Sequence, residues 1–210
     1  MSAARLTDSL LLWAGLSFKT MNVSILFTRE DSIYKTMGLD CWDISRDALK
    51  WPGGNPIVAH PPCRAWGQLS HFAKPREGEK ELAIYAINQI RKFGGVLEHP
   101  RASRLWKEMN LPIGTKVDEY GGYTLCVNQS WWGHRAEKKT LLYIVGCHKK
   151  SLPAIPIKFD LIQYVITNTA RKGQAGYKPR VTQYERESTP AELAKWLVEV
   201  AIRCAPLSCP

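Results

Sequence analysis

Two short apolar runs in this chain stop abruptly at proline-rich polar sequence, and a single amphipathic helix pattern lies between them. Ile57-Val58-Ala59 runs directly into His60-Pro61-Pro62-Cys63, and Val96-Leu97 runs directly into Glu98-His99-Pro100. Residues 80–93 (KELAIYAINQIRKF) place Leu82, Ala83, Ala86, Ile87, Ile90 and Phe93 on one helical stripe, which Gly94-Gly95 stops. Strands alternating with helices argue for a mostly parallel sheet. In such a sheet the two polar strand ends become neighbours on one rim, the rim where sheets of this kind hold ligands.

The remaining pattern continues the alternation. Residues 23–27, inside MNVSILF, read as a strand, residues 33–38 as a brief helix or turn, and residues 39–43 as a second strand. Residues 101–109 read as helix, 121–127 as strand, and Leu141-Leu-Tyr-Ile-Val145 as a buried strand closed by Gly146. The final helix spans 190–204, with Thr189 as its cap and Pro190 at its first helical position. The expected fold is therefore α/β: three layers, Rossmann-like, a mostly parallel sheet with helices on both faces. One domain is expected over residues 21–210, and residues 1–20 read as an N-terminal extension ahead of the strand that Met21 begins.

Composition bounds the partners. Apolar residues make up 45% of the 210 and charged residues 23%, which excludes a disordered, collagen-like or fibrous chain. Lys and Arg number 29 against 19 Asp and Glu, a net charge of +10 that favours polyanions, DNA ahead of RNA. No run of 18 apolar residues occurs, so no membrane span is expected. The apolar stretch at 10–18 is followed by no small-residue cleavage site, which argues against a signal peptide. Six cysteines, at 41, 63, 126, 147, 204 and 209, form no CxxC pair and suit a reduced, cytoplasmic protein.

The reactive candidates sit on the expected rim. Cys63 follows Pro61-Pro62, which fix the backbone before it, and has His60 and Arg64 close by to depress a thiol pKa. The competing reading is an inert cysteine buried at a strand end. Glu98 at the next strand end is expected to hold a proton near neutral pH and to face a ring nitrogen, the alternative being an ion pair with an Arg. A third piece, Gln129-Ser-Trp131-Trp132-Gly-His-Arg135-Ala-Glu-Lys138-Lys139-Thr140, combines indoles with cations, as phosphate clamping and base stacking require; a solvated charged turn is the other reading. His60, Cys63 and His99 with Cys126 or Cys147 have the donor types of a zinc site but no compact metal spacing, so no metal is expected. A nucleobase deaminase needs Pro-Cys-x-x-Cys, which Pro62-Cys63-Arg64-Ala65-Trp66 lacks.

Pro-Pro-Cys at one strand end, a strand ending in Glu (LEHP), and a basic glycine-containing turn before a strand ending IVG together resemble the cytosine-C5 DNA methyltransferases. The likeness is to a divergent, reduced member of phage or prophage type. It implies a methyltransferase-type domain in which Cys63 adds to C6 of a flipped cytosine and Glu98 contacts N3. His60, Pro61, Pro62, Arg64 and His99 would support them, with Arg135 as the supporting arginine. Arg180-Val-Thr182-Gln-Tyr-Glu185 resembles the family's late Arg, Thr and Glu segment. The resemblance also implies S-adenosylmethionine, placed by it at Phe27, Thr28 and Asp43, and DNA as the partner. The sequence departs from the family in three places: no glycine follows Phe27 before Gly38, His99-Pro100 stands for Asn-Val, and the recognition insert shrinks to about residues 147–188. A basic protein that keeps a methyltransferase-like shell without cofactor, and binds nucleic acid or a partner without catalysis, is the rival expectation.

Overall fold

The structure, a computed structural model, describes residues 23–204 apart from 69, 159–160 and 168–169, so the expected extension at 1–20, Met21 and Cys209 lie outside the described residues. The strands are β1 (Ser24–Leu26), β2 (Asp40–Trp42), β3 (Ile57–Ala59), β4 (Gly95–Pro100), β5 (Tyr123–Asn128) and β6 (Lys139–Val145). The helices are α1 (Ile33–Thr36), α2 (Ser70–Ala73), α3 (Glu79–Phe93), α4 (Leu105–Glu108), α5 (Gln183–Glu187) and α6 (Ala191–Ile202). The sheet order is β2-β1-β3-β4-β6-β5. The first four strands run parallel, and β6 is inserted antiparallel between β4 and β5.

Alternation along the strands divides the core in two. Ile25, Val58, Val96 and Ile144 stand side by side in register, as do Leu26, Ala59, Leu97 and Tyr143 one residue further along or back. The first row packs with Leu193, Leu197 and Ala201 of α6, and the second with Ala83, Ile87 and Ile90 of α3. All these side chains are buried. Each Leu or Ile so buried contributes roughly 1.5–3 kcal/mol of transfer free energy, so these rows, and not the weak propensity of three-residue strands, hold the sheet together.

Several expected boundaries move. The 101–109 helix contracts to the single turn of α4, and the reversed direction of β6 was not part of the expectation. Pro190 is the N-cap of α6 and not its first helical residue: its carbonyl accepts from the Ala194 amide at 2.9 Å, and no side chain caps the helix. Between residues 147 and 182 the described chain forms no strand, only isolated bridges at Tyr164 and at Val165–Arg180. No helix among the described residues is long and apolar enough to cross a membrane.

Candidate functional site

Parallel strands deliver their carboxyl ends to one rim, and residue parity decides which side chains meet there. Glu98 lies two residues beyond Val96, His60 two beyond Val58, and Gln129 two beyond Val127, so all three lean to the α6 face. Thr140 is opposite Val127 in the β5–β6 ladder and shares that face. Tyr34 of α1, fully buried, completes the group.

These residues form one chain of hydrogen bonds. The Tyr34 hydroxyl and His60 Nε2 are 2.9 Å apart, and His60 Nδ1 lies 3.1 Å from Glu98 Oε2. Gln129 Nε2 donates to Glu98 Oε1 at 2.9 Å and to Thr140 Oγ1 at 3.0 Å. A carboxylate facing Nδ1 places the proton on that nitrogen, so in neutral His60 the Tyr34 O–H donates to Nε2.

Glu98 is therefore not the proton-bearing acid expected from the sequence. Burial by itself would raise its pKa, but the hydrogen bond from His60 and the charges of Lys138 and His60 overcome burial and bring it down to about 2. The carboxyl is ionised at rest because two N–H donors already address it. His99, one residue on, takes the opposite parity and does not join the site. It is buried edge-on to Trp106, with ring centroids 6.2 Å apart, and both its ring nitrogens lack a hydrogen-bond partner. Burial pushes its pKa down to about 4 against the opposing pull of the Glu98 charge.

Cys63 stands exposed just beyond β3, at the start of a single 3-10 turn (Arg64–Trp66). Its thiol pKa is raised, first by removal from water and then by the charge of Glu98, with Lys138 pulling the other way. The expected net depression does not occur: Arg64 forks onto buried Glu79 at 3.1 and 2.5 Å at the start of α3, and burial outweighs its charge. The charge of Glu98 raises the thiol, and that of Lys138 lowers both the thiol and the carboxyl.

The basic turn is built differently from a stacking platform. Trp132 is buried against Trp196 with centroids 5.3 Å apart, which removes it from any base-stacking surface, and Trp131 is half-buried beside it. Arg135 grips Glu185 through two 2.6 Å hydrogen bonds and lies 4.2 Å over the Tyr164 ring. Lys139 pairs with Glu137 at 3.4 Å, and Lys138 reaches the Ser188 carbonyl at 3.3 Å. Arg180 is exposed. Thr182 and Glu185 cap α5 reciprocally, a local reason for that residue pair that needs no ligand.

The expected cofactor turn does not fit S-adenosylmethionine. Phe27 holds the left-handed backbone, φ 61°, at the point where a glycine would let a ligand approach the chain. Asp43, expected to receive the cofactor, is buried and already accepts from Lys35 Nζ, from the Ser45 amide and hydroxyl at 3.0 and 2.6 Å, and from the Arg46 amide at 3.1 Å. The side-chain hydroxyl of Thr28 is buried without a partner. Among the described residues no group of three or more His, Cys, Asp or Glu converges to hold a metal.

Sequence reasoning placed Cys63, His60 and Glu98 on one rim but missed the roles of Tyr34, Gln129 and Thr140. For Gln129 a signal existed: it continues the parity of Tyr123, Leu125 and Val127 in a strand whose next face residue is polar. No protein-family model matches the chain, and no curated protein matches it significantly.

Proposed function

We propose that this protein modifies a pyrimidine of nucleic acid at C5 through a transient bond from Cys63 to C6, in a Rossmann-like, methyltransferase-type three-layer domain. The observation that carries this reading is the exposed Cys63 thiol and the Glu98 carboxyl at neighbouring strand ends, the carboxyl held by His60 and Gln129. A pyrimidine is inert at C5 until a nucleophile adds at C6, and the addition is easier when charge developing at N3 is met by a proton or donor. Cytosine C5 methylation is the form that the family resemblance implies. The addition itself needs only the chain's own residues and precedes whatever group C5 receives.

That separation makes the addition testable without a donor. Thiolate addition at C6 turns C5 into an enamine carbon that takes a deuteron from D2O; loss of the original proton and expulsion of the thiolate return cytosine with deuterium at C5. An oligodeoxynucleotide containing cytosine should lose its H5 proton NMR signal on incubation with the protein in D2O, and Cys63→Ala should stop the loss. Full retention of H5 with the intact protein, on single-stranded and duplex substrates alike, would overturn the reading.

A second reading is favoured by one specific observation. With Asp43 already accepting from Ser45 and Arg46 and a non-glycine residue, Phe27, holding the left-handed turn, the shell suits a basic protein that binds nucleic acid or a partner and performs no transfer. Tight, salt-sensitive DNA binding without H5 exchange is its expected signature.

A further inference from the structure

The site leaves one chemical requirement unmet: an ionised Glu98 cannot by itself give a proton to N3. We propose that His60, held between Tyr34 and Glu98, stores the proton that Glu98 passes to the ring. His60 is thus a positioning residue that acts through the carboxyl, and the proposal rests on the pyrimidine reading above.

The geometry supplies the route. His60 Nδ1 faces Glu98 Oε2 at 3.1 Å, and its Nε2 faces the buried Tyr34 hydroxyl at 2.9 Å. Because the proton leaves from Nδ1, Nε2 keeps its hydrogen, and the Tyr34 hydroxyl accepts from it before and after the transfer. Nε2 therefore keeps its partner through the transfer. Gln129 Nε2 holds the other carboxyl oxygen from β5 and keeps the carboxyl plane fixed while Oε2 exchanges a proton. The other titratable groups acting on this pair are Lys138 from the turn before β6, His99 on β4 and Cys63 after β3. His99 is held neutral by burial, and Lys138 is a cation that favours the carboxylate.

The step balances as follows. The Cys63 thiol first loses its proton to water. As its sulfur bonds to C6, the C5=C6 electron pair moves to C4–C5 and the C4=N3 pair to N3, where it takes a proton from Glu98. Glu98 receives that proton from Nδ1 of protonated His60, which is left neutral. Reversal, after a deuteron has entered C5 and its proton has left, returns the proton to His60.

The test is the pH profile of H5 exchange. The intact protein needs the Cys63 thiolate and the proton held by the His60–Glu98 pair in the same molecule, so the rate should pass through a bell. His60→Asn keeps an N–H toward Glu98 but cannot store a proton. It should exchange roughly 10²-fold more slowly and lose one limb of the bell, while its circular dichroism and thermal melt stay those of the intact protein. If His60→Asn does not fold, Tyr34→Phe serves instead. A hydrogen bond from the charged ring is the stronger of the two that Tyr34 can make, so losing it should move a limb of the bell. An unaltered bell in folded His60→Asn, or unmoved limbs in Tyr34→Phe, overturns the role of His60 while leaving the pyrimidine reading intact. Absence of exchange by the intact protein sinks both.

Discussion

Glu98 and His99 are adjacent in sequence, yet β4 turns them to opposite faces and the fold treats them in opposite ways. Glu98 is met by two N–H donors and stays charged; His99 is sealed against Trp106 without a partner and stays neutral. Both raise stability near neutral pH, and each loses its contribution in a different window. The folded pKa of His99, about 4, lies below its ordinary 6.5, so on acidification the unfolded chain takes the proton first. Its contribution is whole above about pH 6.5 and is lost as pH falls to about 4, on the order of 3 kcal/mol at about 1.4 kcal/mol per pH unit. Glu98, lowered from 4.5 to about 2, contributes above its ordinary value and loses that contribution as pH falls toward 2. Urea midpoints measured at intervals from pH 7 to pH 2 should therefore drop in two stages. His99→Phe, which keeps a ring against Trp106 and abolishes the titration, should remove the upper stage and leave the lower one. An undiminished upper stage in that variant would mean that another group titrates there.

At the scale of elements, the β3–α3–β4 unit was legible because its signals are local: apolar runs of period two, a helical stripe and a double glycine. Gly95 shows why the second glycine is there. Its φ is +131°, and a Cβ on it would stand 2.1 Å from the Ile57 carbonyl oxygen, a backbone atom that cannot step aside. Gly95→Ala should cost about 3 kcal/mol or more, from close contact and left-handed backbone strain together. The measurement is the thermal or urea midpoint, and a loss below about 1 kcal/mol would show that β3 and β4 can slide apart. What was not legible depends on long-range pairing. The parity of residues 141–145 gives their face but not their direction, so antiparallel β6 could not be foreseen. Arg64 beside Cys63 looked like an activating cation because nothing local says that Glu79, 15 residues later, would be buried and claim it. Trp132 looked like a stacking surface for the same reason: its partner Trp196 lies on the last helix. Tyr34 reaches the site from a four-residue helix whose sequence carries no functional pattern.

For the whole molecule, the charge of +10 predicts polyanion binding but does not say where, and the ion pairs of the fold narrow the choice. Arg135, which the sequence groups with Lys138 and Lys139 as a phosphate clamp, gives its whole fork to Glu185 and anchors α5. Lys138 differs, because its charge bears on both Cys63 and Glu98, so under the proposed function a strand that brings a base to Cys63 would carry its phosphates near this cation. Each phosphate neutralised on duplex DNA adds about 0.9 to the slope of log K against log salt. Fluorescence anisotropy of a labelled duplex, titrated with protein from low to high salt, should thus show a steep slope. Lys138→Ala should lower that slope by roughly 0.9. Arg135→Ala should leave the slope unchanged and instead lower the melting temperature, since it removes the pair that holds α5. The reverse pattern, a slope that drops with Arg135→Ala and not with Lys138→Ala, would move the nucleic-acid path away from Cys63 and toward α5. It would also leave the +10 charge serving a surface unconnected with the thiol, which is what the non-catalytic reading requires.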